Sequence, residues 1–216
     1  MLILIAFVLA LLMKTFLVQA FFIPSSSMEP TLTVDDRVLV NKLTTNLREP
    51  QRGEVVVFGE TSPSEDDRGV VERVTESLTS GLGLAAPPEK DFIKRIIGLP
   101  GETLEMRDGV IYIDGEPLPE APAGDGGYLT ARHFSDFGPV EIGPDEYFMM
   151  GDNRPSSSDS RAFGAIPADR ILGRAFVVIW PPGRVEGLPI AEYPEFDGPV
   201  AASEAPAPPD GQEPRP

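Results

Sequence analysis

The chain has 216 residues, with 34 acidic against 18 basic side chains, a formal charge of −16, no cysteine and one histidine, His133. That charge argues against nucleic acid, and against an anionic lipid surface, as electrostatic partners. The absence of thiols excludes disulfides and thiolate metal sites, and a lone histidine excludes a multi-histidine centre.

Leu2 to Ile23 is apolar almost throughout, broken only by Lys14, Thr15 and Gln19. As a helix it would rise roughly 33 Å, about one hydrocarbon thickness, so residues 1–23 are expected to form a single transmembrane anchor. Lys14 at a helix centre costs roughly 2.5–3.5 kcal/mol, which apolar neighbours and snorkelling offset. A competing reading is a cleaved secretory signal ending at Val18-Gln19-Ala20. Against it, no basic residue precedes the apolar run. The same lack of a basic flank leaves orientation undecided by charge bias.

Next comes Pro24-Ser25-Ser26-Ser27-Met28-Glu29-Pro30-Thr31-Leu32, at the boundary between apolar segment and polar body. Two prolines around three serines favour extended or turning backbone, which by composition alone reads as a linker. The alternative is a serine nucleophile held at a membrane surface.

Beyond it, Arg37 to Leu43 and Glu54 to Phe58 are β-branched runs bounded by turn residues, hence strands. Val70, Val71, Val74 and Leu78 share one helical face before Gly81, predicting a short amphipathic helix between two loops. Asp91 to Ile97 returns to strand, and Thr103–Met106 with Val110–Ile113 form a hairpin across Asp108-Gly109. Gly124 to Gly127 is a loop, and Val140–Ile142, Tyr147–Met150 and Ile171–Trp180 complete the strands. The fold class expected is therefore mainly β and antiparallel, over residues 24–190. Residues 191–216 are expected to be a disordered Pro/Ala/Glu-rich tail.

Within Asp91 to Glu102, alternation puts Phe92, Lys94 and Ile96 on one strand face. A lysine between apolar neighbours can be desolvated and its pKa lowered, which makes it a general base near neutrality. The competing reading is an edge-strand lysine kept in solvent against aggregation. Of the four lysines, Lys14 is in the apolar segment, Lys90 is in a loop, and Lys42 lacks the flanking apolar pair. The stretch Gly151-Asp152-Asn153-Arg154-Pro155-Ser156-Ser157-Ser158-Asp159-Ser160-Arg161 follows a strand and offers hydroxyls and a carboxylate that could orient a cation. By itself it is equally a polar surface loop.

An apolar anchor followed in order by IPSSSMEPTL, GEVVVF, FIKRIIGLPGE and GDNRPSSSDSR resembles the bacterial type I signal peptidases, membrane-anchored serine proteases with a serine-lysine dyad. The resemblance covers residues 1 to about 180. It implies an antiparallel catalytic domain in which Ser27 is the nucleophile and Lys94 the general base. It further implies that the Ser25 hydroxyl joins the Ser27 amide in the oxyanion hole and that Ser157 hydrogen-bonds the lysine ammonium. Asp159 and Arg161 match a structural ion pair, while Phe92 and Met149 fall where the family lines the lysine pocket.

Three features depart from the family pattern: Ser26 where glycine is common, Pro155-Ser156 in place of an Asp-Asn pair, and a long segment from Gly59 to Lys90. By elementary chemistry a serine needs a neighbouring base, and His133 sits in a loop-like setting without a matching motif. The expected activity is removal of signal peptides from exported preproteins after small residues, without metal or other cofactor. The expected location is the bacterial cytoplasmic membrane, single-pass, with the catalytic domain on the extracytoplasmic side. The expected partners are those signal peptides and the lipid bilayer, not nucleic acid. Two alternatives stand beside this: a serine-lysine relative processing a pilus or conjugation component, and a membrane-tethered β module whose site has decayed.

Overall fold

The computed structural model describes residues 17–59, 91–123, 127–131, 135–193 and 196. Its strands are β1 (Val18–Phe22), β2 (Arg37–Asn41), β3 (Val55–Phe58), β4 (Phe92–Gly98), β5 (Thr103–Arg107), β6 (Val110–Ile113) and β7 (Glu116–Pro117). They continue with β8 (Phe137–Glu141), β9 (Glu146–Met150), β10 (Ile166–Pro167), β11 (Ile171–Trp180) and β12 (Glu186–Gly187). Two one-turn helices, α1 (Thr44–Leu47) and α2 (Ser160–Phe163), join them.

Among the described residues the strands form two sheets. The larger runs β1-β2-β11-β3-β4-β9-β10, with β12 added to β11, and the smaller runs β7-β6-β5-β8. All the pairings between these strands are antiparallel. The mainly β, antiparallel expectation holds.

β3 is buried along its whole length between β11 and β4. That accounts for its unbroken Val-Val-Val-Phe run, since a strand covered on both faces has no solvent side to make polar. Val55, Val57 and Ile93 pack into one apolar cluster with Met28, Leu32, Val38 and Val40. Val56, Phe58, Ile96 and Met149 pack into another on the opposite face. A third cluster, centred on Ile97, Leu104, Ile111, Ile113 and Phe148, joins the two sheets. The β5–β6 hairpin turns on Asp108 and Gly109, both at positive φ, as a two-residue primed turn requires.

The structure corrects the expected anchor at its C-terminal end. A helix running through to Ile23 is ruled out, because Val18–Phe22 is strand β1, paired along all five residues with β2. Its aromatic and β-branched residues suit a pleated edge, and the ladder satisfies the backbone groups that a helix would otherwise have bonded internally. β2 ends at Asn41, two residues before the expected boundary, because the Asn41 side chain accepts the Leu43 amide at 2.9 Å and turns the chain into α1. At the other end, Ala191, Tyr193 and Phe196 pack against the inter-sheet cluster, so the packed body runs past residue 190. Residues 1–16, the helix expected over 70–78, His133 and residues 197–216 lie outside the described residues. Among the described residues, no helix is long and apolar enough to cross a membrane.

Candidate active site

The three polar stretches singled out from sequence meet at β4. Ser26–Met28 forms a single 3-10 turn, stabilised by the Glu29 amide on the Ser26 carbonyl at 3.1 Å. Met28, in the turn, and Leu32, just beyond it, are both 0% exposed and hold the loop in the core. Ser27, directly before Met28, is itself buried rather than carried on a free linker.

The segment after β9 holds the loop from outside. The Asn153 amide donates to the Ser27 carbonyl at 3.0 Å, and Asn153 Nδ2 donates to the Ser26 carbonyl at 3.2 Å. Thr31 donates its hydroxyl proton to Asp152, and Thr130 donates to the Glu29 carbonyl. Gly151 packs so closely that a Cβ there would stand 2.3 Å from Ser157 Oγ and 2.5 Å from the Ser27 carbonyl oxygen. Only glycine leaves room for this approach.

Lys94 lies in the middle of β4, a central strand, and is 4% exposed. This excludes the reading as a solvated edge-strand lysine. Its Nζ is 2.7 Å from Ser27 Oγ and donates to the Ile93 carbonyl at 2.8 Å. Cross-strand register sets Val56 opposite Lys94, and Met149 opposite Ile96 on the same face. Burial pulls the Lys94 pKa from 10.5 down to about 8, against the opposing charges of Asp159 and Asp152. Phe92 shares that face, stacked on Phe58 with centroids 5.6 Å apart and tilted against Phe163 at 5.9 Å.

The remaining expected residues fall as follows. Ser25 is exposed on the rim, its hydroxyl 3.3 Å from Ser27 Oγ. Arg161 grips Asp159 with two donors, Nε at 2.8 Å and Nη2 at 2.9 Å. Asp159 also accepts the Gly151 amide at 3.0 Å and caps α2 through the Arg161 amide. Burial pushes its carboxyl up, but the bonds from Arg161 and Gly151 outweigh burial and hold it below the ordinary value. Ser157 departs from expectation. Among the described residues its hydroxyl makes no hydrogen bond to Lys94 or to any other group, although it sits near enough to Asp159 to help lower that carboxyl. The lysine is oriented by Ser27 and the Ile93 carbonyl instead.

Sequence reasoning did not single out Arg95 or Asp152. Arg95 is 2% exposed and binds the fully buried Asp152 with two donors, Nε to Oδ1 at 2.8 Å and Nη2 to Oδ2 at 2.7 Å. A second buried pair, Glu120 with Arg154, lies beside it, and Arg154 Nε donates to the Gly151 carbonyl at 3.1 Å. The available signal was chemical: an arginine inside an apolar strand must find a carboxylate, and Asp152 heads the third polar stretch.

A family model described as signal peptidase, peptidase S26, matches residues 1–180. The probable signal peptidase I-2 of Synechocystis sp. is 40% identical over 181 residues, covering 83% of this chain and 71% of its own. Signal peptidase I of Leptolyngbya laminosa is 37% identical, covering 84% of this chain and 78% of its own. Signal peptidase I T of Bacillus subtilis is 36% identical, covering 83% and 82%. A crystal structure of a signal peptidase I from Enterococcus faecalis aligns with a TM-score of 0.39 at 29% identity, covering 59% of this chain and 97% of that one. The match over residues 1–180 takes in the Ser26–Met28 turn, β4 and the segment after β9 together, and the chain belongs to the signal peptidase family, peptidase S26, as a serine peptidase.

Proposed function

We propose that this protein is a membrane-anchored endopeptidase that removes N-terminal signal peptides from exported preproteins, cutting after small residues of the Ala-X-Ala type. The observation that carries the reading is the 2.7 Å contact between Lys94 Nζ and Ser27 Oγ, with the amine held near pKa 8. A decayed site would have no reason to keep a buried lysine at that distance from a buried serine.

The chemistry is that of an activated nucleophile. Neutral Lys94 takes the Ser27 proton as Oγ bonds the scissile carbonyl carbon, and the carbonyl π pair moves onto oxygen. The Ser25 hydroxyl and the Ser27 amide stabilise that oxyanion. Collapse breaks the C–N bond, and the Lys94 ammonium gives its proton to the leaving amine. A water then attacks the acyl-serine, with Lys94 again as base, and restores Ser27. Asp159 and Asp152 favour the transient ammonium, while burial favours the neutral amine, so neither form is trapped.

Membrane attachment is supported by two features. Residues 2–17 are apolar apart from Lys14 and Thr15, and as a helix they would rise about 24 Å, most of a hydrocarbon core. Directly after them, Phe22 and Trp180 are 55% and 49% exposed and flank Arg37 on the same face of β1, β2 and β11. Exposed aromatics beside an apolar segment suit a lipid interface. The catalytic body then faces the extracytoplasmic side of the cytoplasmic membrane, where exported chains emerge. The test is mass spectrometry of a model preprotein after incubation with the protein. One cut at the end of an Ala-X-Ala segment supports the reading, and scattered cuts or none overturn it.

A further inference from the structure

The chain beyond residue 180 lies outside the stretch matched by the family model, yet it returns across the body of the protein. Leu188 is buried, with its amide on the Phe176 carbonyl at 2.8 Å. The Ala191 amide donates to the Gly53 carbonyl at 3.2 Å. Gly53 has φ of +87°, and a Cβ there would stand 2.3 Å from the Ala191 carbonyl oxygen, so this segment lies on bare backbone. The same Gly53 carbonyl accepts Arg95 Nη1 at 2.7 Å.

Two residues on, the Tyr193 hydroxyl is 3.0 Å from the Tyr128 hydroxyl, with the rings edge to face at 6.4 Å. Tyr128 carries the Arg95 guanidinium over its ring at 4.1 Å and donates to Glu120, the partner of Arg154. Phe196 closes the segment under the Arg52 guanidinium, 5.1 Å from its centroid. The segment therefore bears on Arg95 from two directions, through its carbonyl acceptor and through the ring beneath it.

A buried guanidinium is tolerated only when its donors are all satisfied. Arg95 spends Nε and Nη2 on Asp152 and Nη1 on Gly53, with Thr31 Oγ1 also within 3.3 Å of Nη2. Four of its five N–H donors are thus engaged, two of them on Asp152, so a shift in Gly53 or Tyr128 bears on the Asp152 pair. Asp152 holds Thr31, four residues after the nucleophile, and Arg154 bonds the carbonyl of Gly151, whose Cα packs against the Ser27 carbonyl.

We propose that residues 188–193, with Phe196, clamp the catalytic centre, and that Tyr193 is a positioning residue that keeps Tyr128 and Arg95, and through Asp152 the Ser27 loop, in register. Only the kinetic consequence rests on the peptidase reading. The test uses the full chain carrying Tyr193→Ala or Tyr193→Phe, with a melting curve to establish folding. Hydrogen exchange is followed at the Asn153 amide, bonded to the Ser27 carbonyl, and at the Leu32 amide, bonded to the Met28 carbonyl. In Tyr193→Ala both amides exchange about fivefold to tenfold faster and kcat falls by a similar factor with KM nearly unchanged, the size of one or two lost interactions. Tyr193→Phe keeps the edge-to-face ring and falls between. If the alanine variant does not fold, the phenylalanine variant carries the same two readouts. Unchanged exchange at Asn153 and Leu32 in a folded variant overturns the clamp, whatever kcat does. A parent protein that cuts no preprotein while the exchange result holds overturns the peptidase reading alone.

Discussion

Lys94 Nζ meets Ser27 Oγ at 2.7 Å across 67 positions of sequence. Two independent constraints set this contact. β4 is fixed in the centre of the sheet by ladders on both edges, and the serine turn is fixed by Met28 and Leu32 in the core. Neither side chain depends on a free loop, so the pair is organised before any substrate arrives.

Ser27→Ala should abolish cleavage of a preprotein while leaving the melting temperature within a few degrees of the parent. Among the described residues the hydroxyl's hydrogen-bond contacts are with Lys94 and Ser25, and the turn is held by its backbone and by Met28. A variant that keeps cutting would remove Ser27 from the nucleophile's role.

Ser25→Ala tests the rim. Its hydroxyl stands 3.3 Å from Ser27 Oγ and is exposed, so its loss should leave the fold intact. As an oxyanion donor it should slow kcat by about 10²–10³ with KM nearly unchanged. A normal kcat would return Ser25 to the status of a linker serine.

Gly151→Ala probes the close approach behind Ser27. The new methyl would meet Ser157 Oγ at 2.3 Å and the Ser27 carbonyl oxygen at 2.5 Å. The serine side chain can rotate away, but the carbonyl can move only with the catalytic turn. A displacement of about 1 Å at a reacting atom costs on the order of 10²-fold, so kcat should fall by that much with a lowered melting temperature. A fully active, equally stable variant would mean that the turn is far softer than its bonds to Asn153 imply.

Much of this was legible in the chain. The β-branched runs, the Asp108-Gly109 hairpin and the apolar flanks of Lys94 each carry a local signal that the fold honours. What was not legible is non-local. β1 is hidden because Val-Gln-Ala-Phe-Phe continues an apolar run of helical length, and only its pairing with β2 distinguishes strand from span. Ser157 was expected on the lysine, but its buried hydroxyl has no hydrogen-bond partner among the described residues, which no spacing rule reports. Arg95 and Asp152 are 57 positions apart, and their pairing follows from β4 and β9 being neighbours.

The pH dependence follows from Lys94. Burial lowers its pKa to about 8, so below pH 8 the resting amine is increasingly protonated and unable to accept the Ser27 proton. The kcat/KM of the free protein should therefore fall on the acid side through an apparent pKa near 8. Lys94→Arg should fold and be inactive, since a guanidinium does not deprotonate at working pH. Stability carries the same signature with a definite sign. The folded-state pKa lies below the ordinary 10.5, so the unfolded chain binds the extra proton between the two values. Stability should rise as pH climbs from about 8 to 10.5, and below pH 8 the buried ammonium should cost its full amount, about 3 kcal/mol. Lys94→Met removes the titrating group, so its melting temperature at neutral pH should exceed that of the parent and its rise between pH 8 and 10.5 should vanish. Parallel melting curves of the two proteins across that window, or an acid limb unchanged in an active Lys94→Arg, would mean that another group serves as the base.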